Sequence, residues 1–336
     1  MRRAGEFRGD PPARGGAAVN RWLILLVVAL YLLSLAVGPA WWPWRLGNEV
    51  GWAIVWELRV PRATLGLLIG GVLGLSGAVL QGWLRNPLAE PGVIGVSACA
   101  GFAAVCAFYS GLAAAFVLAL PLAGIAGAGI AVALLMGAVR SGTGTVSLLL
   151  MGVAINAIAA ALISLVLAMS PNPFAYQEIS LWLAGSIVDR DLRYLAIAAP
   201  FMIAGAAIVL GAGRWLDALS LGEDTARSLG VETKSLGLRL TLGVGLMVGA
   251  ATSVAGVIGF VGLIAPHVVR ARVDFRPGAT LVPSMLVGAA LVLIADIAVR
   301  LLPTAYELQL GVFTSLVGAP FLVRAVRKAR AAWLAA

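Results

Sequence analysis

The sequence predicts an all-α polytopic membrane protein with about ten transmembrane helices. Of its 336 residues, 61% are hydrophobic and 12% are charged, and the mean hydropathy is +0.99. The apolar residues form blocks close to the ~20 residues that a helix needs to cross a bilayer, and the charged residues lie between the blocks. Helices are expected because they satisfy their own backbone hydrogen bonds, which lipid cannot do.

The first three spans are separated by charged or proline-rich segments. Trp22–Ala40 follows a tail rich in Gly, Pro and Arg. Its long apolar run, with no convincing small-residue cleavage site after it, favours an uncleaved span over a secretory signal peptide. Arg62–Trp83 is the second span and Val93–Gly111 is the third. Two prolines and a glycine between these two spans predict a compact, kinked turn.

The later spans follow from the remaining apolar blocks. Ala114–Val139 is long enough to tilt in the bilayer, and Phe260–Val273 is short and broken by a proline. The other predicted spans are Val146–Met169, Leu192–Gly211, Leu236–Val257, Leu281–Val299 and Leu308–Val326. Residues 22–327 are therefore expected to form one transmembrane domain. The flanking tails are 1–21, which is expected to be disordered, and 328–336.

The distribution of basic residues predicts the orientation. With ten spans and a cytoplasmic N-terminus, the cytoplasmic segments hold 18 of the 24 Lys and Arg residues. The six on the outside are Arg45, Arg59, Arg62, Arg190, Arg193 and Arg300. This positive-inside bias places both termini in the cytoplasm. It also accounts for the net charge of +9, so nucleic-acid binding is not needed to explain it.

Motifs for catalysis, metal binding and nucleotide binding are absent from the sequence. It contains no HExxH, no GxSxG, no Walker-type GxxxxGK[ST] and no Cys/His cluster with metal-ligand spacing. Cys99 and Cys106 are too far apart on one predicted helix for a disulfide. Asp296 precedes Arg300 by four residues, which predicts an ion pair on one helix face. Because other intramembrane acids and histidines are nearly lacking, a proton-coupled transporter and a membrane enzyme are both disfavoured.

The segment Leu219–Val231, between the sixth and seventh spans, predicts a short solvent-facing helix. Its polar positions are Glu223, Asp224 and Arg227, and its apolar positions include Ala226 and Leu229. Gly230 is suited to a helix C-cap because glycine adopts the left-handed conformation readily. On the cytoplasmic side such a helix could receive a soluble partner. A surface helix without a partner is the alternative interpretation.

With these segments in place, the chain resembles the FecCD-type permeases of bacterial ABC importers from about Arg59 to Arg327. The stretches that carry the resemblance are Arg59–Arg62, Ser76–Gln81, Asn86–Gly92, Gly95–Ser97, Leu148–Val153, Trp182–Ser186, Leu221–Val231, Gly259–His267 and Glu307–Gly311. They occur in the family's order. One departure is Gln309, where the family usually has proline.

The resemblance implies a type II ABC importer permease fold and a set of partners. The expected partners are a second permease copy, most simply as a homodimer, two cytoplasmic ATPase subunits, and a periplasmic substrate-binding protein. ATP would be used by the ATPase subunits, and this chain would bind no cofactor or metal itself. The expected location is the bacterial inner membrane.

The resemblance also implies roles for individual residues. It assigns contact with the ATPase to Leu221, Gly222, Glu223, Ala226, Arg227, Leu229 and Gly230. It assigns docking of the binding protein to Arg59, Arg62 and Arg300, whose alternative interpretation at positions 59 and 62 is anchoring at the membrane interface. It assigns a cytoplasmic gate to Asn86 and Leu88, with a second constriction at Thr145 and Val146. The family member compared is more polar at the second constriction.

An iron chelate such as a ferric siderophore is the expected substrate by resemblance, followed by vitamin B12 (cobalamin), haem and an oxyanion. Pairing with a homologous subunit in place of a second copy stays open. Two alternatives come from other classes: an ion-coupled secondary transporter, and a membrane-embedded enzyme or structural subunit.

Overall fold

Helices form the regular structure of the computed structural model, which describes residues 14–38, 48–142, 144–170, 173–302 and 308–334. They are α1 (Arg14–Ala36), α2 (Asn48–Ala53), α3 (Val60–Trp83), α4 (Val96–Tyr109), α5 (Leu112–Ala115), α6 (Ala119–Arg140), α7 (Thr145–Ala168), α8 (Pro173–Leu183), α9 (Leu192–Leu210), α10 (Gly213–Ser220), α11 (Glu223–Ser228), α12 (Thr233–Ala255), α13 (Val261–Arg270), α14 (Pro277–Leu301) and α15 (Leu310–Leu334). Within the described ranges there is no strand, and seven helical segments are long and apolar enough to cross a membrane. The predicted all-α membrane class is confirmed.

The second predicted span is part of a longer helical segment. A π-helical turn, Ile54–Arg59, joins α2 to α3, so that Glu49–Trp83 runs as 35 helical residues. The prediction began at Arg62 because two charged residues and a proline interrupt the apolar run before it. Pro61 lies at the start of α3, a position where proline is tolerated.

Two further boundaries differ from the sequence prediction. The third span, predicted from Val93, begins as a helix at Val96, after a 3₁₀ turn over Pro91–Ile94 and a left-handed Gly95 with φ 78°. Helix α8, between the fifth and sixth spans, was not predicted at all. Its mixture of polar and aromatic residues has no long apolar run to signal it.

The eighth predicted span, Phe260–Val273, has a helix for only half of a membrane crossing. Its helix, α13, has ten residues, which rise about 15 Å against a hydrocarbon core of ~30 Å. The segment before it, 256–260, lies along α15. The Val257 carbonyl faces Gly311, and Phe260 packs against Gly318 seven residues further along that helix. Non-helical backbone at this depth is tolerated because protein encloses it.

The centre of the bundle is α3, which packs along α14 through glycines. A Cβ atom added at Gly74 would lie 2.2 Å from the Ser284 carbonyl oxygen, and one at Gly288 would lie 2.2 Å from the Gly70 carbonyl oxygen. These distances are too short for any side chain, so glycine is what allows the two backbones to touch. Contacts of this kind hold membrane helices together by van der Waals packing.

The first and last helices extend beyond the predicted transmembrane domain. Helix α1 begins at Arg14, inside the segment expected to be a disordered tail, and residues 1–13 lie outside the described residues. Helix α15 continues to Leu334, through most of the predicted second tail. Cys99 and Cys106 carry free thiols on α4.

Candidate functional site

The predicted coupling segment, Leu219–Val231, contains one short helix, α11, and its first two residues are the end of α10. Gly222, with φ 109°, makes the turn between them. Ala226 is fully buried and anchors α11 in the bundle, while Leu221 and Leu229 are 65% and 55% exposed. Glu223 accepts a hydrogen bond from Arg227 at 2.9 Å, and both side chains are exposed. The segment therefore presents two apolar side chains and an ion pair to solvent.

The end of α11 is fixed by the predicted glycine C-cap. Gly230 has φ 86°, its N–H donates to the Arg227 carbonyl, and the Val231 N–H donates to the Ala226 carbonyl. These two bonds satisfy the last carbonyls of the helix in a Schellman arrangement. The buried Val231 packs beneath the turn. The C-cap and the buried side chains stabilise a helix of six residues, which would be too short to be stable alone.

A pocket of about 270 Å³ adjoins α11 on the side of α3, α6 and α12. Its wall carries Arg85, Arg227 and Lys234 together with Glu223, and Trp83 forms part of its apolar surface. The three cations outnumber the single acid, so the pocket has a positive electrostatic potential. It lies at the same end of the molecule as the predicted cytoplasmic gate.

The predicted gate residues lie in an exposed turn directly after α3. Asn86 Oδ1 accepts a hydrogen bond from the Leu88 N–H at 2.9 Å, and the Ala89 N–H donates to the Asn86 carbonyl. Leu88 is half exposed, whereas Ala89 is buried. The asparagine thus organises the turn, and the leucine projects from it.

A polar network that sequence reasoning did not assign fastens this turn to α13. Gln81 is buried, donates through Nε2 to the carbonyls of Ala89 and Gly262, and accepts a hydrogen bond from Arg270. Glu90 accepts a hydrogen bond from the Phe260 N–H at the break before α13. Both Gln81 and Glu90 lie in stretches that carry the family resemblance. A polar residue within an apolar span was the signal that could have identified Gln81.

The second predicted constriction lies at the start of α7. Val146 is 71% exposed, and the side chain of Thr145 lies outside the described part of the structure. Helix α7 packs against α4 and the Pro91–Ile94 turn on one side. Its other side is apolar and exposed, and only 17% of the residues in its most apolar stretch are buried. Helix α15 likewise exposes Leu316 and Val317.

Arg62 and Arg300 are engaged with a buried carboxylate of this chain. Asp296 is 1% exposed and accepts hydrogen bonds from Arg62 Nε at 2.8 Å and from Arg300 Nη2 at 2.6 Å. The predicted pair of Asp296 and Arg300 is confirmed. The resemblance did not lead us to expect Arg62 as a third member, because that residue is 234 positions away in sequence.

Arginine side chains also complete the last turn of α1. Arg59 Nη1 donates to the carbonyls of Leu35 and Ala36 at 2.8 and 2.9 Å. Arg300 Nη1 donates to the carbonyls of Ser34 and Val37, both at 2.9 Å. The final carbonyls of a helix have no partner within the helix, and cations are favourable there. The two side chains therefore join α1 to the rest of the bundle.

A cavity of about 1040 Å³ lies between α4, α8 and the start of α15. Its wall includes Phe108 and Trp182, whose rings meet edge to face at 6.1 Å, and Gln177. Arg190 lies over the Tyr194 ring at 4.8 Å and donates to the Val254 carbonyl. The cavity is at the large end of the range for ligand sites. Sequence reasoning missed it because α8 was not predicted.

Comparison with known proteins gives consistent similarities over nearly the whole chain. The model of the FecCD transport family matches residues 24–328. The vitamin B12 import system permease protein BtuC of Yersinia enterocolitica is 36% identical over 312 residues, covering 90% of this chain and 92% of the relative. The hemin transport system permease protein HmuU of Yersinia pestis is 33% identical over 327 residues, covering 92% and 95%.

A solved structure has the same architecture. It is described as an inward-facing conformation of an ABC transporter assigned to the metal-chelate type. The TM-score is 0.85 and the sequence identity 31%, and the match covers 93% of this chain and 99% of that one. The similarity therefore extends to the arrangement of the helices in space.

Proposed function

The chain belongs to the FecCD transport family and is an ABC importer permease, and on that premise we propose that it carries a metal chelate across the bacterial inner membrane. The observation that supports coupling to a soluble ATPase is the exposed segment of α10 and α11. A soluble ATPase needs a protruding element that it can grip, and this segment offers one with apolar and charged groups. Leu221, Gly222, Glu223, Arg227, Leu229 and Gly230 are the residues we assign to that contact. Ala226 was predicted among them, but its side chain is buried, so it supports the segment from within the bundle.

A second copy of this chain is the proposed partner within the membrane. The apolar sides of α7 and α15 are exposed. Helix α7 carries Val146, and the first turn of α15 lines the large cavity. Two copies that pair through these sides would enclose a pathway between them. Asn86 and Leu88 would then close its cytoplasmic end, with Thr145 and Val146 forming a further constriction.

Docking of a periplasmic binding protein at Arg59, Arg62 and Arg300 stays a prediction. The contacts of these residues set a condition on it. An incoming acidic side chain would have to compete with the carboxylate of Asp296 or with the last carbonyls of α1 for the guanidinium groups. Both termini are proposed to be cytoplasmic, because the basic residues are concentrated on that side.

The substrate is proposed as a class, a metal chelate. Relatives named as vitamin B12 and hemin permeases and a transporter of metal-chelate type are all similar to this chain. The cavity of about 1040 Å³ could admit a bulky ligand. Cobalamin is therefore the first substrate to test, and the iron chelate expected from the sequence is the second.

The test is uptake of radiolabelled cobalamin and of a radiolabelled ferric chelate, side by side, in a host that lacks the gene. Complementation with the wild-type chain should restore ATP-dependent uptake of one of them. Restoration that survives ATP depletion but collapses with an ionophore would overturn the ABC mechanism in favour of ion coupling.

The same strain tests the coupling segment. The double variant Glu223→Lys with Arg227→Glu keeps an ion pair within α11 but reverses the charges that a partner meets. We expect transport to be abolished while the protein still inserts. Arg272→Glu is the control, since Arg272 is exposed but lies outside α10 and α11. Normal transport by the double variant would refute the coupling assignment.

A further inference from the structure

An apolar groove of about 300 Å³ runs between α6, α9 and α12 on the outside of the bundle. Helix α12 forms its floor, because Gly245 and Gly249 let α6 approach closely. A Cβ at Gly245 would lie 2.1 Å from Val132, and one at Gly249 would lie 2.4 Å from Ala128. Gly129 lines the opening, where an added Cβ would meet no atom within 4 Å.

The length of the groove matches one leaflet of a bilayer. Along α6 it extends from Met136 to Ile125. At 1.5 Å per residue this is about 16 Å, against about 15 Å for half of a hydrocarbon core. Met136 lies only four residues from the end of α6. The groove therefore begins close to the end of the helix that the proposed orientation places in the cytoplasm.

Two exposed arginines lie at that end of the groove. Arg140 follows Met136 by four residues on α6, and Arg239 precedes Leu242 by three on α12, so each continues the face that lines the groove. A Cβ at Gly237 would lie 3.0 Å from Val139, so these two residues of α12 and α6 are at the same height in the bundle. Arg239 and Arg140 follow them closely in sequence. The two arginines are therefore within about one helical turn of each other along the helix axis.

The guanidinium groups have capacity for a ligand. Arg239 Nε donates to the Ile208 carbonyl at 2.7 Å, which ties it to the last turn of α9 at the same end of the groove. A guanidinium has five N–H donors, so others remain. Within the described part of the chain, neither Arg140 nor Arg239 forms an ion pair.

We propose that this groove binds one anionic phospholipid of the cytoplasmic leaflet. An acyl chain lies along α12 between α6 and α9, and the lipid phosphate lies between Arg140 and Arg239. Basic pockets between membrane helices on the cytoplasmic side are suited to anionic headgroups. A free phosphate ion would use the arginines alone and leave the apolar groove unexplained. The lipid would stabilise the contact of α6 and α9 with α12.

The test is native mass spectrometry of the full chain purified in detergent. The probes are phosphatidylglycerol, phosphatidylcholine and inorganic phosphate. We expect one tightly retained phosphatidylglycerol per chain. Arg140→Gln should weaken its binding about fivefold, and Arg140→Gln with Arg239→Gln about 25-fold. The control is Arg272→Gln, since Arg272 is also exposed and also donates to a carbonyl, but lies on another part of the surface.

A second variant tests the groove without changing charge. A Cβ at Gly129 would meet no atom within 4 Å, so Gly129→Leu places a side chain in the opening and should release the lipid. Ala196→Leu adds the same bulk at an exposed position of α9 that lies about 140° around the helix from Phe201 and lines no part of the groove, and it should leave binding unchanged. The proposal fails if phosphatidylcholine is retained as tightly as phosphatidylglycerol, or if Gly129→Leu has no effect. It also fails if inorganic phosphate competes at equal concentration, which would indicate an anion site alone.

Discussion

Replacing Asp296 with asparagine should destabilise the protein more than any conservative change at its surface. Asp296 is 1% exposed and lies between Arg62 and Arg300, which are also largely buried. The substitution keeps the shape of the side chain but removes the carboxylate that Arg62 and Arg300 share. Breaking a buried pair by removing one partner costs about 3–5 kcal/mol, because the remaining cations lose their counter-ion where water does not replace it.

The size of the effect can be translated into a melting temperature. The midpoint falls by ~2–4 °C per kcal/mol in chains of 150–250 residues and by less in longer ones. Taking about 2 °C per kcal/mol for these 336 residues gives a decrease of roughly 6–10 °C for Asp296→Asn. The ten tryptophans supply the signal for thermal unfolding followed by intrinsic fluorescence in detergent micelles.

The chain contains a matched control for this experiment. Glu223 and Arg227 have the same chemistry and the same spacing of four residues as Asp296 and Arg300, but both are exposed. An exposed pair of this kind contributes no more than about 0.5 kcal/mol, so Glu223→Gln should change the midpoint by about 1 °C or less. If the two variants melt within 2 °C of each other, burial does not govern the strength of these pairs and the reasoning is wrong.

Three further predictions concern packing, the gate and its support. Gly74→Ala should separate α3 from α14 and lower the melting temperature or the yield of folded protein, whereas Gly129→Ala, at an open position, should not; equal melting would contradict the glycine contact. Asn86→Ala with Leu88→Ala should make liposomes containing the purified protein leaky to substrate, since the turn loses its 2.9 Å hydrogen bond and its projecting side chain; tight liposomes would count against a gate there. Gln81→Leu should leave Arg270 and two carbonyls without their partner and reduce transport more than stability; a loss of folded protein equal to the loss of transport would show that Gln81 only supports the fold.

The family could be predicted from the sequence because its motifs are local. Leu221–Val231 illustrates this: the acidic start, the buried alanine and the glycine C-cap are each readable from neighbours in the chain. The structure confirms the C-cap at Gly230 and divides the predicted helix at Gly222. That division depends on the φ of a single glycine, which composition does not reveal.

Long-range contacts could not be predicted in the same way. Gln81, Glu90 and Arg270 were visible as polar residues, but their partners lie across the bundle, so no periodicity in one segment indicates them. The large cavity was missed for a related reason, since α8 is neither long nor apolar enough to be recognised as a membrane helix.

The sequence by itself determined that this is a membrane protein and which family it resembles, and its charges predict an orientation. These properties depend on hydropathy and on short motifs, and lipid imposes the helical form on every apolar block. Only the tertiary structure decided that Arg62, Asp296 and Arg300 form one cluster, that α13 is half a crossing, and that α6, α9 and α12 leave a groove between them. The physical reason is that these features depend on contacts between helices far apart in the sequence, such as the backbone contact of Gly74 with Ser284, and no single segment encodes such a contact.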